Sequence, residues 1–513
     1  MSELLALVSL FVPAGGQIVS QPHGTALVSL GENVTRFEPA CGGERAVFLS
    51  GPASVVKPEL YSARTDGREP AVRLNDELVG QVLDFWVSPD GACAVYRADR
   101  DALGRSELFV VPSDGSQAPL KLSGALVAGG QVDSFQFTPD GARGVYVAEQ
   151  DEAGIDELYV VPIDGSQPAL RLGPQIKVGS QLVAIGPDGI RAAFYGSDAV
   201  AQVDGLFSVP LDGSSAPLLL ALQTSRPVTS LRISPDASHV VFERTDSFYG
   251  NRLYSAPLDG SAAEVQLNVA EEIEFQITGD GAHVLYLDVN TFEPSRGRLY
   301  RVAIDGGTPT EINDTLGSDR GVKAFELTPD CARIVYIADA DRDDRFELYS
   351  GPSTGGPAIH LNHPLAGSGD VLAAKVDPSG ERVLYVASFA RPPDIQELFS
   401  VPVAGGTPVV VSAPMVTGGD IAFHSSQPVL AFDGGEVLYL ADQDVDQVFE
   451  LYRAPIDGHA LAQKLSGPLV TGGDVQFDLR PGRARQALYR ADANVDGRME
   501  LFATPLRVAT RRP

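Results

Sequence analysis

The stretch Glu450-Leu451-Tyr452-Arg453-Ala454-Pro455-Ile456-Asp457-Gly458 decides the fold, because the chain repeats it ten times with variations. Close copies begin at Glu107, Glu157, Glu347 and Glu397, and looser ones at Glu59, Gly205, Arg252, Arg298 and Glu500. Successive copies lie 46 to 53 residues apart. A period in that range marks a propeller blade rather than a helical solenoid.

Working outward from the copy at Glu157, each unit reads as four short strands. Val132 to Phe137 is followed by a Thr138-Pro139-Asp140-Gly141 turn, then Gly144 to Ala148 and an acidic loop. Leu158 to Val161 follows, then a turn at Pro162-Ile163-Asp164-Gly165 and a short Ala169 to Leu172. Pro, Asp and Gly each have a physical reason to sit in such turns. Pro closes the third run in eight copies, where its missing N–H does no harm to a ladder. That third run is apolar at consecutive positions, so both faces of its sheet must be covered. Sheets stacked face to face meet the requirement. No segment carries a 3.6-residue apolar period, and the expectation is an all-β chain.

The 513 residues would by length alone suggest several domains, but the repeat overrides that prior. The reading is one β-propeller domain over residues 1–513. Thr25 to Leu30 reads as a fourth strand with no unit before it, and the chain stops after a third strand near Leu506. The N-terminal strand (25–30) is therefore expected to complete the last blade (475–506), which would remove open sheet edges. Ten repeats closed in this way point to a single ring, the alternative being two smaller propellers in tandem.

A net charge of −28 argues against nucleic acid and anionic membranes and favours a cationic partner. No run approaches 18 apolar residues, so no membrane span is expected. Leu4 to Val12 lacks a preceding Lys or Arg and a small-residue cleavage site, and reads as strand rather than signal peptide. Three cysteines are too few for a disulfide framework, so Cys41, Cys93 and Cys331 are expected as free thiols.

Ser88-Pro89-Asp90-Gly91, Thr138-Pro139-Asp140-Gly141 and Gly186-Pro187-Asp188-Gly189 are each followed by an aromatic strand and a second Asp-Gly turn. In this the chain resembles the repeats of TolB-type β-propellers, which also occur in tricorn-like and prolyl-oligopeptidase-like propellers. The resemblance covers residues 25 to 506. It implies a bacterial, protein-binding or gating propeller, often periplasmic or extracellular; the chain is expected to be a monomer. Ten repeats exceed the family's usual blade number, and no partner domain follows.

Alternating strand directions put the tight Pro-Asp-Gly turns at one end of each sheet and the variable loops at the other. Three of those loops share a spacing: Asp442, Asp444, Asp446 and Glu450; Asp492, Asn494, Asp496 and Glu500; Asp339, Asp341, Asp343 and Glu347. Oxygens at positions 1, 3, 5 and 9 of a tight loop can wrap a hard cation such as Ca²⁺. Asp99, Asp101 and Glu107 make a thinner version, as do Glu149, Asp151 and Glu157. The competing reading is structural, since Asp and Gly are ordinary turn residues and the strand-leading Glu could pair with a neighbouring blade. Asp370, Asp420 and Asp474, in the loops entering first strands, are candidates for a carboxylate rim that takes a basic peptide.

Signatures of catalysis are poor. Gly351-Pro352-Ser353-Thr354-Gly355 matches a nucleophile-elbow pattern but aligns with the turn after the third strand. His360 and His363 read as structural. The sequence thus favours a non-enzymatic scaffold that presents acidic loops to a protein or peptide. Against it stand a hydrolase or lyase with a carboxylate-lined funnel (Asp84, Asp133, Glu326, Asp478) and a purely structural surface protein.

Overall fold

A computed structural model describes residues 17–20 and 26–506, apart from 52–56, 174–175, 199–200, 223–227, 247–249, 269–271, 291–292, 314–315, 318, 366–368, 390–394, 425–426, 429 and 483–485. The run Leu4 to Val12 lies outside the described residues. Strands dominate, and the one helical element among the described residues is a short 3₁₀ turn at Cys41–Gly43. No described helix is long and apolar enough to cross a membrane.

The repeat folds as the sequence reading requires, into four-stranded antiparallel sheets of the propeller type, one after another along the chain. In the unit quoted above the strands are Val132–Phe137, Arg143–Ala148, Glu157–Pro162 and Leu170–Leu172, paired in sequence order. The fourth strand is often only two residues long, as at Val72–Arg73, Ile359–His360 and Gln463–Lys464, though it reaches five at Leu218–Leu222. First strands carry a bulge one residue in, as at Val132/Ser134, Val322/Ala324 and Val371/Ala373.

The chain divides into two compact units. The larger unit holds the sheets between Val132 and Lys464. Its core is built between successive sheets. Val145, Val147, Leu158 and Val160 of one pack with Ala192, Phe194, Phe207 and Val209 of the next. This double-sided cover is why Glu157–Pro162 is buried at five of six positions. One repeat departs from the pattern: Ile421 makes only an isolated bridge to Ala441, and the regular first strand is reduced to Leu430–Asp433.

The smaller unit contains the sheet of Val34–Ala40, Arg45–Ser50, Glu59–Arg64 and Val72–Arg73, and a terminal sheet. There Ala26–Glu32 lies antiparallel to Glu500–Pro505, pairing Val28 with Ala503 and Glu32 with Glu500. Gln17–Ser20 adds a fifth strand outside it.

Two side-chain devices recur. An aromatic of the second strand stacks on the aromatic of the Glu-Leu-Tyr/Phe motif, as in Tyr146–Tyr159 (5.1 Å between ring centres), Tyr439–Tyr452 (5.6 Å) and Phe48–Tyr61 (5.8 Å). Such pairs contribute ~0.5–1.5 kcal/mol beyond their burial. An amide or hydroxyl just after the fourth strand accepts the N–H of the motif leucine: Asn75 for Leu60, Asn268 for Leu253, Asn362 for Leu348. The short fourth strand is thereby fastened at its end.

Candidate cation-binding loops

The loop between second and third strands is anchored by its first acid. Asp492 is buried, and its two oxygens accept the N–H groups of Asp474 (2.6 Å) and Gly497 (2.9 Å). Asp339 does the same for Gly321 (2.6 Å) and Asp344 (3.2 Å), and Asp442 for Asp420 and Gln447 (2.7 Å with Gln447). Asp344 and Gln447 hold positive φ, the strained corner that this carboxylate stabilises. The position-1 acid is therefore a backbone clasp joining two loops of its own sheet. Asp420 and Asp474 are the residues clasped, and the Asp370 carboxylate accepts the Phe346 N–H at 2.9 Å.

The motif glutamate opens the third strand, buried at Glu107, Glu157, Glu347 and Glu450, and in several described repeats it meets a base on the fourth strand of its own sheet. Glu59 meets Arg73 at 3.1 Å, Glu107 meets Lys121 at 2.6 Å, and Glu157 meets Arg171 at 3.0 Å. Glu450 pairs with Lys464 and Glu347 with His360 at 3.7 Å. The expected pairing with a neighbouring blade is thus replaced by one inside the sheet. The motif tyrosine donates to the same carboxylate, from Tyr159 to Glu157 at 2.6 Å and from Tyr452 to Glu450 at 3.0 Å. Burial next to these carboxylates pushes the Tyr159 and Tyr452 phenols well above their ordinary pKa. Sequence reasoning missed these bases, although a basic residue 13 or 14 positions after the glutamate was there to be read.

In two repeats position 3 is bridged to the same base. Lys464 reaches Asp444 at 3.4 Å, and Arg171 reaches Asp151 at 3.4 Å. In the terminal sheet position 3 is an amide, and Asn494 donates to Glu500 at 2.6 Å. Desolvation nevertheless raises the Glu500 pKa, with the Asn494 hydrogen bond opposing it. Asp444, Asp446, Asp496, Asp341 and Asp343 stay exposed. A Ca²⁺ ion at the Asp442 or Asp492 loop would share the position-1 carboxylate with the backbone donors it already holds.

The acids proposed for a funnel are engaged as well. Asp84 pairs with Arg36 and accepts the Phe85 N–H (2.9 Å), and Asp133 accepts the Gln131 amide at 3.1 Å. Glu326 pairs with Lys375 (2.6 Å) and accepts the Val376 N–H (2.7 Å). The Asp478 side chain lies outside the described residues. Ser353 donates to the Cys331 carbonyl at 2.6 Å, which fits a turn and not a nucleophile.

At the turn end of the larger unit an open cavity of about 380 Å³ brings His239 between Ser238 (2.8 Å) and Asp305 (2.9 Å). The Ser238 hydroxyl also lies 2.8 Å from both oxygens of Asp236. Asp236 and His239 thus compete for the single Ser238 proton.

No family model matches this chain, and no curated protein is similar to it. Solved structures are. A TolB protein from Agrobacterium tumefaciens is 17% identical over 47% of this chain and 83% of its own, with a TM-score of 0.28. Dipeptidyl peptidase 4 from Porphyromonas gingivalis is 12% identical over 89% of this chain and 64% of its own, with a TM-score of 0.45. A eukaryotic initiation factor is 11% identical over 80% and 93%, with a TM-score of 0.47. TolB and other propeller-like proteins thus stand among the structural neighbours.

Proposed function

We propose that the protein is a non-enzymatic β-propeller scaffold whose loops between second and third strands present carboxylates to a basic protein or peptide. One observation carries the reading: each of three loops is clasped by a buried aspartate, while its tip exposes further acids, Asp343, Asp446 and Asp496 among them. A rigid loop with exposed charge loses little entropy on binding. The net charge of −28 would speed the approach of a cationic partner. The funnel-enzyme alternative is weakened because Asp84 and Glu326 are already ion-paired.

Affinity capture at two salt concentrations tests this proposal. The wild-type chain and a variant with Asp341, Asp343, Asp444 and Asp446 changed to Asn are compared for retention of a Lys/Arg-rich peptide. Retention that falls with salt and is lost in the variant supports the reading; equal retention overturns it. Ca²⁺ binding by the exposed carboxylates is a separate part of the proposal. Calorimetry with CaCl₂ should give heat that Asp446→Asn reduces, and no heat removes that part.

A further inference from the structure

We propose that Asp341, Glu347 and His360 form a site for a divalent transition metal, with Zn²⁺ as the best chemical match. The proposal shares Asp341 with the scaffold reading but rests on comparing the repeats with one another.

In two repeats a pair of carboxylates, from loop position 3 and the motif glutamate, is built around a cation that the protein itself supplies. Lys464 lies between Asp444 and Glu450, and Arg171 lies between Asp151 and Glu157. The terminal sheet has no base from a motif-following fourth strand, since Ala26–Glu32 lies beside Glu500–Pro505. There position 3 is Asn494, so one negative charge is missing as well. Its single carboxylate, Glu500, keeps one counter-charge in Arg498 at 3.4 Å. The repeat at Glu347 breaks the correspondence. Both carboxylates are kept, yet the fourth strand offers His360 where its sisters offer lysine or arginine.

An imidazole nitrogen is a metal ligand, whereas an ammonium or guanidinium is a substitute for the metal. Ligand atoms of Asp341, Glu347 and His360 all lie within 4.8 Å of one another. His360 Nε2 is already 3.7 Å from Glu347 Oε1. Tetrahedral Zn²⁺ with bonds of about 2.0–2.1 Å sets its ligand atoms roughly 3.3 Å apart, so small side-chain rotations suffice. One nitrogen and two carboxylates leave a fourth position for water. The mixed set favours Zn²⁺ over Ca²⁺, which prefers oxygen alone.

The surroundings suit such a site. The Tyr349 ring sits 5.3 Å from the imidazole and its hydroxyl 3.5 Å from Glu347 Oε2, orienting two of the three ligands. Arg345 Nη2 lies 3.4 Å from Glu347 Oε1 but is anchored on the Leu365 carbonyl at 2.6 Å. In the sister repeat Glu107 carries both Arg105 (3.8 Å) and Lys121. One arginine plus one further cation is thus what this glutamate accommodates elsewhere. His360 is partly exposed, which gives the ion a way in. His363, by contrast, faces the Pro408 carbonyl at 3.2 Å and takes no part.

The test is titration of the full chain with ZnCl₂ alone, by calorimetry, alongside His360→Lys and His360→Ala. His360→Lys restores the built-in cation of the Lys464 repeat and should fold at least as well as wild type. The wild type should take up one Zn²⁺ per chain and melt at a higher temperature with the metal. Both variants should bind at least tenfold more weakly, and His360→Lys should melt at a temperature unaffected by Zn²⁺. Absence of saturable uptake by the wild type, or equal uptake by wild type and His360→Lys, overturns the proposal. The latter result would assign the metal to other histidines.

Discussion

Asp492 accepts the backbone N–H of Asp474 at 2.6 Å, so a carboxylate leaving the second strand fastens the loop that enters the first. Its other oxygen holds Gly497 at 2.9 Å, and nothing of the carboxylate is left for solvent. Asp492→Ala should therefore cost about 2–4 kcal/mol, two charge-assisted bonds and two orphaned donors. Asp496→Ala, at the exposed tip, should stay within about 0.5 kcal/mol. Urea denaturation of the two variants separates a clasp from a ligand, and equal losses would refute the clasp.

A second expectation concerns Glu157, which is fully buried and receives Arg171, Tyr159 and the N–H groups of Gln150 and Asp151. Glu157→Ala should cost about 3–5 kcal/mol by stranding these partners. Arg171→Lys, which reproduces the Lys464 arrangement, should cost less than about 1 kcal/mol because the ion pair is kept. Denaturation midpoints at equal m-value decide it. An equal loss in both would mean that packing, and not charge, holds the pair.

The third expectation is a pH dependence. The Thr138 hydroxyl donates to Asp140 at 2.6 Å and Ala142 N–H at 3.0 Å, and these bonds hold the carboxyl below its ordinary pKa. A lowered folded-state pKa contributes stability above the unfolded value of ~4 that is lost as pH falls through the lowered value. Thr138→Ala should thus cost about 0.5–1.5 kcal/mol at pH 7 and less at pH 3. Asp90, Asp280 and Asp330 occupy the same turn in other repeats and are lowered by the same hydroxyl bond, so acid should weaken several turns together. NMR titration of Asp140 in wild type and Thr138→Ala measures the shift directly.

The fourth turns on Gly31. A Cβ there would meet the Phe48 ring at 2.4 Å, and Phe48 is buried and stacked on Tyr61. Gly31→Val should overpack this contact and cost about 1–3 kcal/mol. It should also make the segment before Val34 more open to limited proteolysis than in wild type. Unchanged proteolysis with unchanged stability would show that the strand is not held by this approach.

How far the sequence was legible depends on where the deciding partner sits. The four strands of a unit were readable because Glu-Leu-Tyr and Pro-Ile-Asp-Gly state both strand and turn within nine residues. The clasp was not, because the donors to Asp339, Asp442 and Asp492 come from Gly321, Asp420 and Asp474 in another loop. Spacing alone shows oxygens alternating; it does not show which of them already hold an N–H. The broken first strand at Ile421 was also hidden, since Ile421-Ala422-Phe423 looks as strand-like as its counterparts. The pairing of Lys464 with Glu450 sat in between: its period was visible, its geometry was not.

The terminal sheet has a consequence for biosynthesis. Ala26–Glu32 is made some 470 residues before its partner Glu500–Pro505. At ~5–20 residues per second the early segment waits roughly 25–95 s on the ribosome before its mate emerges. Through that interval an unpaired strand edge is open to other nascent chains, so crowded translation, more than heat, is the condition under which this molecule should misassemble.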